Sequence, residues 1–116
     1  MRDWPVTVIP NPLDTEFWRP TDPTAARSAL GLPRNPTLVL TGADGGVDRF
    51  VKGGDLLDAA LHRLSGRATE PGQRDIEVVT FGGSQRWREP AGRLPFPVHH
   101  LGRLEDDRAL REAYSA

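Results

Sequence analysis

Three short apolar runs, each closed by glycine, constrain this chain most. Thr37-Leu38-Val39-Leu40-Thr41 stops at Gly42, Ile76-Glu77-Val78-Val79-Thr80-Phe81 at Gly82-Gly83, and Val98-His99-His100-Leu101 at Gly102. Runs of this length and composition suit strands, and the first, apolar at consecutive positions, suits one buried on both faces. A helical pattern from about Gly53 to Leu64 separates the first two. Its Leu56, Leu57, Ala60, Leu61 and Leu64 form one continuous apolar face, and Asp55 and Asp58 suit the positive end of a helix dipole. After the third run, Glu105-Asp106-Asp107 opens a last helix with Leu110, Ala113 and Tyr114 on one face. Strand, helix, strand, loop, strand, helix predicts an α/β fold: a partial Rossmann-like parallel sheet with right-handed crossovers.

The flanking segments have their own signals. Pro5 to Ile9 reads as a short N-terminal strand through Val6, Val8 and Ile9, stopped by Pro10 and Pro12. Residues 10–22 read as an irregular connector. Asp22-Pro23 opens a helix, with Asp22 as N-cap and proline at the first helical position, and Gly31 with Pro33 ends it. Residues 65–75 read as a loop and residues 84–96, rich in arginine and proline, as a surface loop. Trp4, Trp18 and Trp87 read as packing residues rather than a stacking platform.

Composition excludes several classes. A chain of 116 residues has the size of one small domain. Its net charge of −1 gives no electrostatic reason to bind nucleic acid. It has no cysteine, so disulfides and thiolate metal sites are out. No apolar run approaches the ~20 residues of a membrane helix, and the start lacks a secretion signal, so a soluble cytoplasmic protein is the expectation. No metal site is expected either. His99 and His100 are strand neighbours that point to opposite faces, and Asp44 and Asp48 lack calcium-loop spacing.

Open parallel sheets bind ligands beyond the carboxyl ends of their strands. The loop after the first run holds Gly42, Gly45, Gly46, Arg49 and Lys52, immediately before Gly53 and a helix. Glycines admit a phosphate to the backbone, a helix N-terminus offers N–H groups and a positive dipole end, and Lys52, the single lysine beside 14 arginines, adds a full charge. The loop is neither a Walker motif nor a GxGxxG. Its other reading is a glycine-rich turn with exposed Arg49 and Lys52. Gly82-Gly83 and Gly102 read equally as strand exits or as places of close ligand approach.

The order and spacing of Val8-Ile9-Pro10-Asn11-Pro12-Leu13-Asp14, Lys52-Gly53-Gly54-Asp55-Leu56-Leu57, Val98-His99-His100-Leu101-Gly102-Arg103-Leu104 and Tyr114-Ser115-Ala116 resemble the retaining glycosyltransferases of family 4. The resemblance spans nearly the whole chain and about half of one of that family's two domains. It implies one half of the C-terminal domain of the GT-B fold. Residues 1–22 would be the last strand of the N-terminal domain and the interdomain linker, and residues 23–116 the first half of the nucleotide-sugar-binding domain.

The resemblance assigns roles residue by residue. An Arg and a Lys of the first loop grip the donor diphosphate in this family; Lys52, followed by Gly53, stands at the Lys position, while the Arg position holds Ala43 and Arg49 is the candidate substitute. Gly42 and Gly53 complete that donor site. The backbone at Gly102, Arg103 and Leu104 would bond the nucleotide base. Pro12 replaces a glycine of the interdomain crossing and rules out a positive φ there.

The implied activity is transfer of a sugar from a nucleoside-diphosphate sugar to a glycan, lipid or small-molecule acceptor, with retention and without cofactor or metal. Peripheral membrane association is an expectation for the parent enzyme. The family's paired glutamates would lie beyond Ala116, so the expectation is a fragment inactive by itself, with an open sheet edge that invites self-association. The alternatives are a non-catalytic nucleotide- or phosphate-binding module, or a remnant that serves protein contact.

Overall fold

In the computed structural model, residues 4–43, 53–66, 75–83 and 94–116 are described. They form α1 (Pro23–Ala29), β1 (Thr37–Ala43), α2 (Gly54–Ser65), β2 (Ile76–Gly82), β3 (Val98–His100) and α3 (Asp107–Ser115). The three strands make one open sheet in the order β1-β2-β3, all parallel. The architecture is therefore α/β, as the order of runs requires.

Register fixes the two faces. Thr37 pairs with Ile76, Val39 with Val78 and Thr41 with Thr80, while Val78 pairs with Val98 and Thr80 with His100. Because side chains alternate, Val39, Val78 and Val98 share one face, and Leu38, Leu40, Val79 and Phe81 share the other. The first face is covered by α2: Leu61 and Val78 pack with Leu94, and Leu57, Phe96 and Val98 surround them. The second faces α3: Ala113 and Tyr114 line one shallow hollow with Leu38, Leu40 and Val79, Ala113 is buried, and the Tyr114 ring, 67% exposed, stands edge-on to Phe81. Helix α1 packs against α3 on this side. Val78 and Val79 are fully buried, one against each layer.

The helix ends follow their local chemistry. Asp22 caps α1 by accepting from the amides of Thr24 and Ala25, with Pro23 at the first helical position. Leu30 closes α1, and Gly31 follows at φ 66°. Asp106 caps α3 by accepting from the Arg108 amide.

Several expectations are corrected. Residues 5–9 form no strand: Val6, Val8 and Ile9 are 85–87% exposed, because no described segment offers them a ladder partner. Trp4 is likewise exposed rather than packed. Strand β1 is not buried on both faces; Leu38, Val39 and Leu40 are half-buried, because among the described residues only β2 flanks it. The segment read as a surface loop at 84–96 sends Leu94 and Phe96 into the core. On α2, Leu57, Leu61 and Leu64 turn inward while Leu56 and Ala60 are exposed.

Candidate functional site at the carboxyl rim

The parallel sheet places the carboxyl ends of all three strands on one rim. There Ala43 pairs with Gly82, and the Gly82 amide donates to the Gly102 carbonyl at 2.7 Å. The Leu101 amide also donates to the Thr80 carbonyl, so β2 and β3 stay tied past the end of β3. Both exits turn through left-handed backbone, Gly82 at φ 94° and Gly102 at φ 70°. That conformation is open to glycine at little cost, and it explains the residue type at both turns.

The crossover from β1 returns at Gly53, the N-cap of α2, also left-handed at φ 66°. Gly53 has no side chain to cap the helix, and Asp55 lies in the first turn. The backbone of a crossover helix start and three positive-φ glycines thus belong to one end of the sheet.

Gly42 has a different explanation. It lies inside β1, which runs on to Ala43, rather than at a strand exit. A Cβ built on it would stand 2.5 Å from the Phe81 ring, its registered neighbour on β2. Glycine is needed there so that the aromatic ring can lie across β1.

Among the residues assigned to the site, Gly42, Gly53 and Gly102 fall at this rim. Arg103 is exposed, with its Nε 3.6 Å from Glu105, and Leu104 is half-buried. Such an exposed ion pair contributes little. Arg49 and Lys52 lie outside the described residues, as do Asp44, Asp48 and Trp87.

The structure also shows polar pairs that the sequence did not announce. His99 Nε2 meets Glu77 Oε2 across β2 and β3, and His100 Nδ1 meets the buried Thr80 hydroxyl at 2.8 Å on the opposite face. The opposed directions of the two histidines are as the strand period requires. Only the adjacency of His99 and His100 hinted at these partners; the register that brings Glu77 to His99 is a property of the sheet. No group of three or more His, Asp or Glu that could hold a metal ion occurs among the described residues. No described helix is long and apolar enough to cross a membrane.

A hollow of about 440 Å³ lies at the other end of the sheet, between α1 and the lead-in to β1. Its Arg27 is engaged structurally: Nε donates to the Ala116 oxygen at 2.7 Å, and Nη1 lies within 3.3 Å of the Pro33, Arg34 and Pro36 carbonyls. That guanidinium holds α1, the approach to β1 and the end of α3 together, so it is a fastener rather than a ligand clamp.

Comparison with protein-family models, with curated proteins and with solved structures finds no match to this chain.

Proposed function

We propose that this chain is the first half of the donor-binding domain of a retaining glycosyltransferase of the GT-B type, and that its carboxyl rim holds the diphosphate and base of a nucleoside-diphosphate sugar. The observation that carries the reading is topological. Helix α2 takes the chain from β1 to β2 on one face, whereas α3 leaves β3 on the opposite face. Crossovers between parallel strands are right-handed in nearly every case, so a crossover on the opposite face carries the chain the opposite way. A parallel strand fed from α3 would enter beside β1. Strand order would then reverse at β1, and ligands of open α/β sheets sit at that reversal.

The loop after β1 carries Arg49 and Lys52 and leads into the α2 N-terminus. In this reading Lys52 and Arg49 neutralise the diphosphate, Gly53 allows its approach at the helix start, and the backbone at Gly102, Arg103 and Leu104 faces the base. Stabilising a departing diphosphate is an electrostatic task that cations and oriented amides can perform. The acceptor site and the paired acids belong to parts of the enzyme that these residues do not supply. The chain alone therefore binds donor without transferring its sugar.

Calorimetric titration with UDP, GDP and ADP, each against its nucleoside, tests the reading. One diphosphate should bind and its nucleoside should bind at least tenfold more weakly. Lys52→Glu should abolish the diphosphate advantage. Equal affinity for nucleoside and diphosphate, or a Lys52→Glu variant that binds as the parent does, overturns the proposal.

A further inference from the structure

Strand β1 has the sequence of an interior strand but, among the described residues, the position of an edge strand. Its seven residues, TLVLTGA, contain no charge and no proline. Edge strands ordinarily carry such features, or a bulge, to prevent pairing with another chain. Beside it, Leu32, Leu38, Leu40, Val79 and Tyr114 border an apolar hollow of about 120 Å³. Segment 4–9 of the same chain does not cover this edge, since its apolar residues are exposed.

The hydrogen-bonding directions along β1 are fixed by one contact. The Thr37 amide donates to the Asp75 carbonyl at 2.7 Å, so Thr37 turns its backbone groups toward β2. By the two-residue period Val39, Thr41 and Ala43 do the same. Leu38, Leu40 and Gly42 therefore direct their N–H and C=O groups outward, and their side-chain positions lie on the face of the apolar hollow.

This outward set is symmetric about Leu40. Two copies related by a twofold axis through Leu40 would set Leu40 against Leu40, and Leu38 of each copy against Gly42 of the other. Every outward donor would then meet an outward acceptor, as an antiparallel ladder requires. The bulk of Leu38 would fall opposite a residue without a side chain, and no like charges would meet. A self-complementary patch on a twofold axis is the commonest way in which soluble chains assemble.

We infer that the 116-residue chain dimerises by antiparallel pairing of β1 with β1 of a second copy, giving one continuous six-stranded sheet. The pairing leaves both carboxyl rims open, at opposite ends of that sheet, but it uses the β1 edge on which the proposed function seats a further strand, so it is a property of these 116 residues by themselves. One strand pair and a shallow hollow make a small interface, so the dimer should exchange with monomer.

Two measurements on the full chain test this. Sedimentation over a range from about 1 to 300 μM should show mass rising from 12.8 kDa toward twice that value. Leu40→Lys, which sets two cations face to face on the axis, should hold the mass at one chain throughout. The chain has no cysteine of its own, so single cysteines report proximity cleanly. Under mild oxidation Leu40→Cys should cross-link to a covalent dimer at least tenfold faster than Leu38→Cys, whose counterpart in the partner lies several residues away. A constant single-chain mass for the parent sinks the inference. So does an unchanged dimer in Leu40→Lys, or equal cross-linking of the two cysteine variants. If Leu40→Lys fails to fold, the cross-linking ratio still decides.

Discussion

Gly42 shows how a residue acquires its identity from a neighbour distant in sequence. Nothing local distinguishes it from a strand-ending glycine, and the sequence reading placed it at an exit. Its reason is the Phe81 ring, which occupies the space a Cβ would need. Gly42 is not among the residues of positive φ, so the cost of Gly42→Ala is steric alone. Overpacking of this kind costs about 1–3 kcal/mol, visible as a lower urea midpoint. Gly83→Ala is the comparison: a Cβ there meets nothing within 4 Å, and its effect should stay within about 0.5 kcal/mol. Trimming the ring with Phe81→Leu should reduce the Gly42→Ala penalty. Equal midpoints for Gly42→Ala and Gly83→Ala would remove the steric account. By contrast, Asp22, Pro23 and Gly31 were legible in advance, because capping and left-handed turns are decided within a few residues.

At the scale of elements, existence and order were readable, but depth of burial was not. Helix α2 has the apolar period of an amphipathic helix, yet its face is narrower than the apolar residues suggest. Leu57, Leu61 and Leu64 stand at i, i+4 and i+7 and turn inward. Leu56 lies about 100° round the helix from the centre of that stripe and Ala60 about 70°, and Leu56 is 72% exposed. Leu61→Ala should therefore cost about 2–5 kcal/mol in a urea titration, while Leu56→Ala should change stability by less than about 0.5 kcal/mol. Comparable losses at both positions would show that the whole apolar set is buried. Strand β1 errs in the same direction. Its consecutive apolar residues predict cover on both faces, but cover depends on what stands beside the strand, and among the described residues only β2 does. The segment with Leu94 and Phe96 errs in the opposite direction. Pro95 and Pro97 gave it the look of a loop, whereas the α2 face of the sheet needed apolar side chains from somewhere, and this segment supplies them. The candidate site divides similarly: its glycine turns were visible as glycines, while their convergence on one rim follows from parallel register.

At the scale of the whole molecule, the chain divides into a packed body and an extended lead-in. The radius of gyration is 17.7 Å, against about 13 Å for a compact chain of about this length. Residues 4–13 are all exposed. From Asp14 onward the lead-in is fastened. Asp14 Oδ1 accepts from the Glu16 and Phe17 amides, and the Trp18 amide donates to the Asp14 carbonyl. The Arg111 guanidinium lies 4.7 Å from the Phe17 ring centroid and within 3.4 Å of the Phe17 carbonyl. The Thr21 amide donates to Ser115 Oγ, which in turn donates to the Arg111 carbonyl. Residues 14–21 are thus held by α3, the last described element, and residues 4–13 make no contact of this kind with the described residues. Two truncations separate these regions. A chain beginning at Leu13 should keep the melting temperature of the full chain to within about 2 °C, because every described residue it loses is exposed. A chain beginning at Thr21 loses the ring stacked under Arg111 and its carbonyl acceptor. With a cation–π contact and a hydrogen bond to a charged group contributing about 1–3 kcal/mol together, its melting temperature should fall by about 4–8 °C for each kcal/mol lost. Equal melting temperatures for the two truncations would mean that the lead-in is not fastened to α3. A large drop already at Leu13 would mean that residues 4–12 have a partner in solution, and segment 5–9, with its β-branched residues, would then be the first place to look for it.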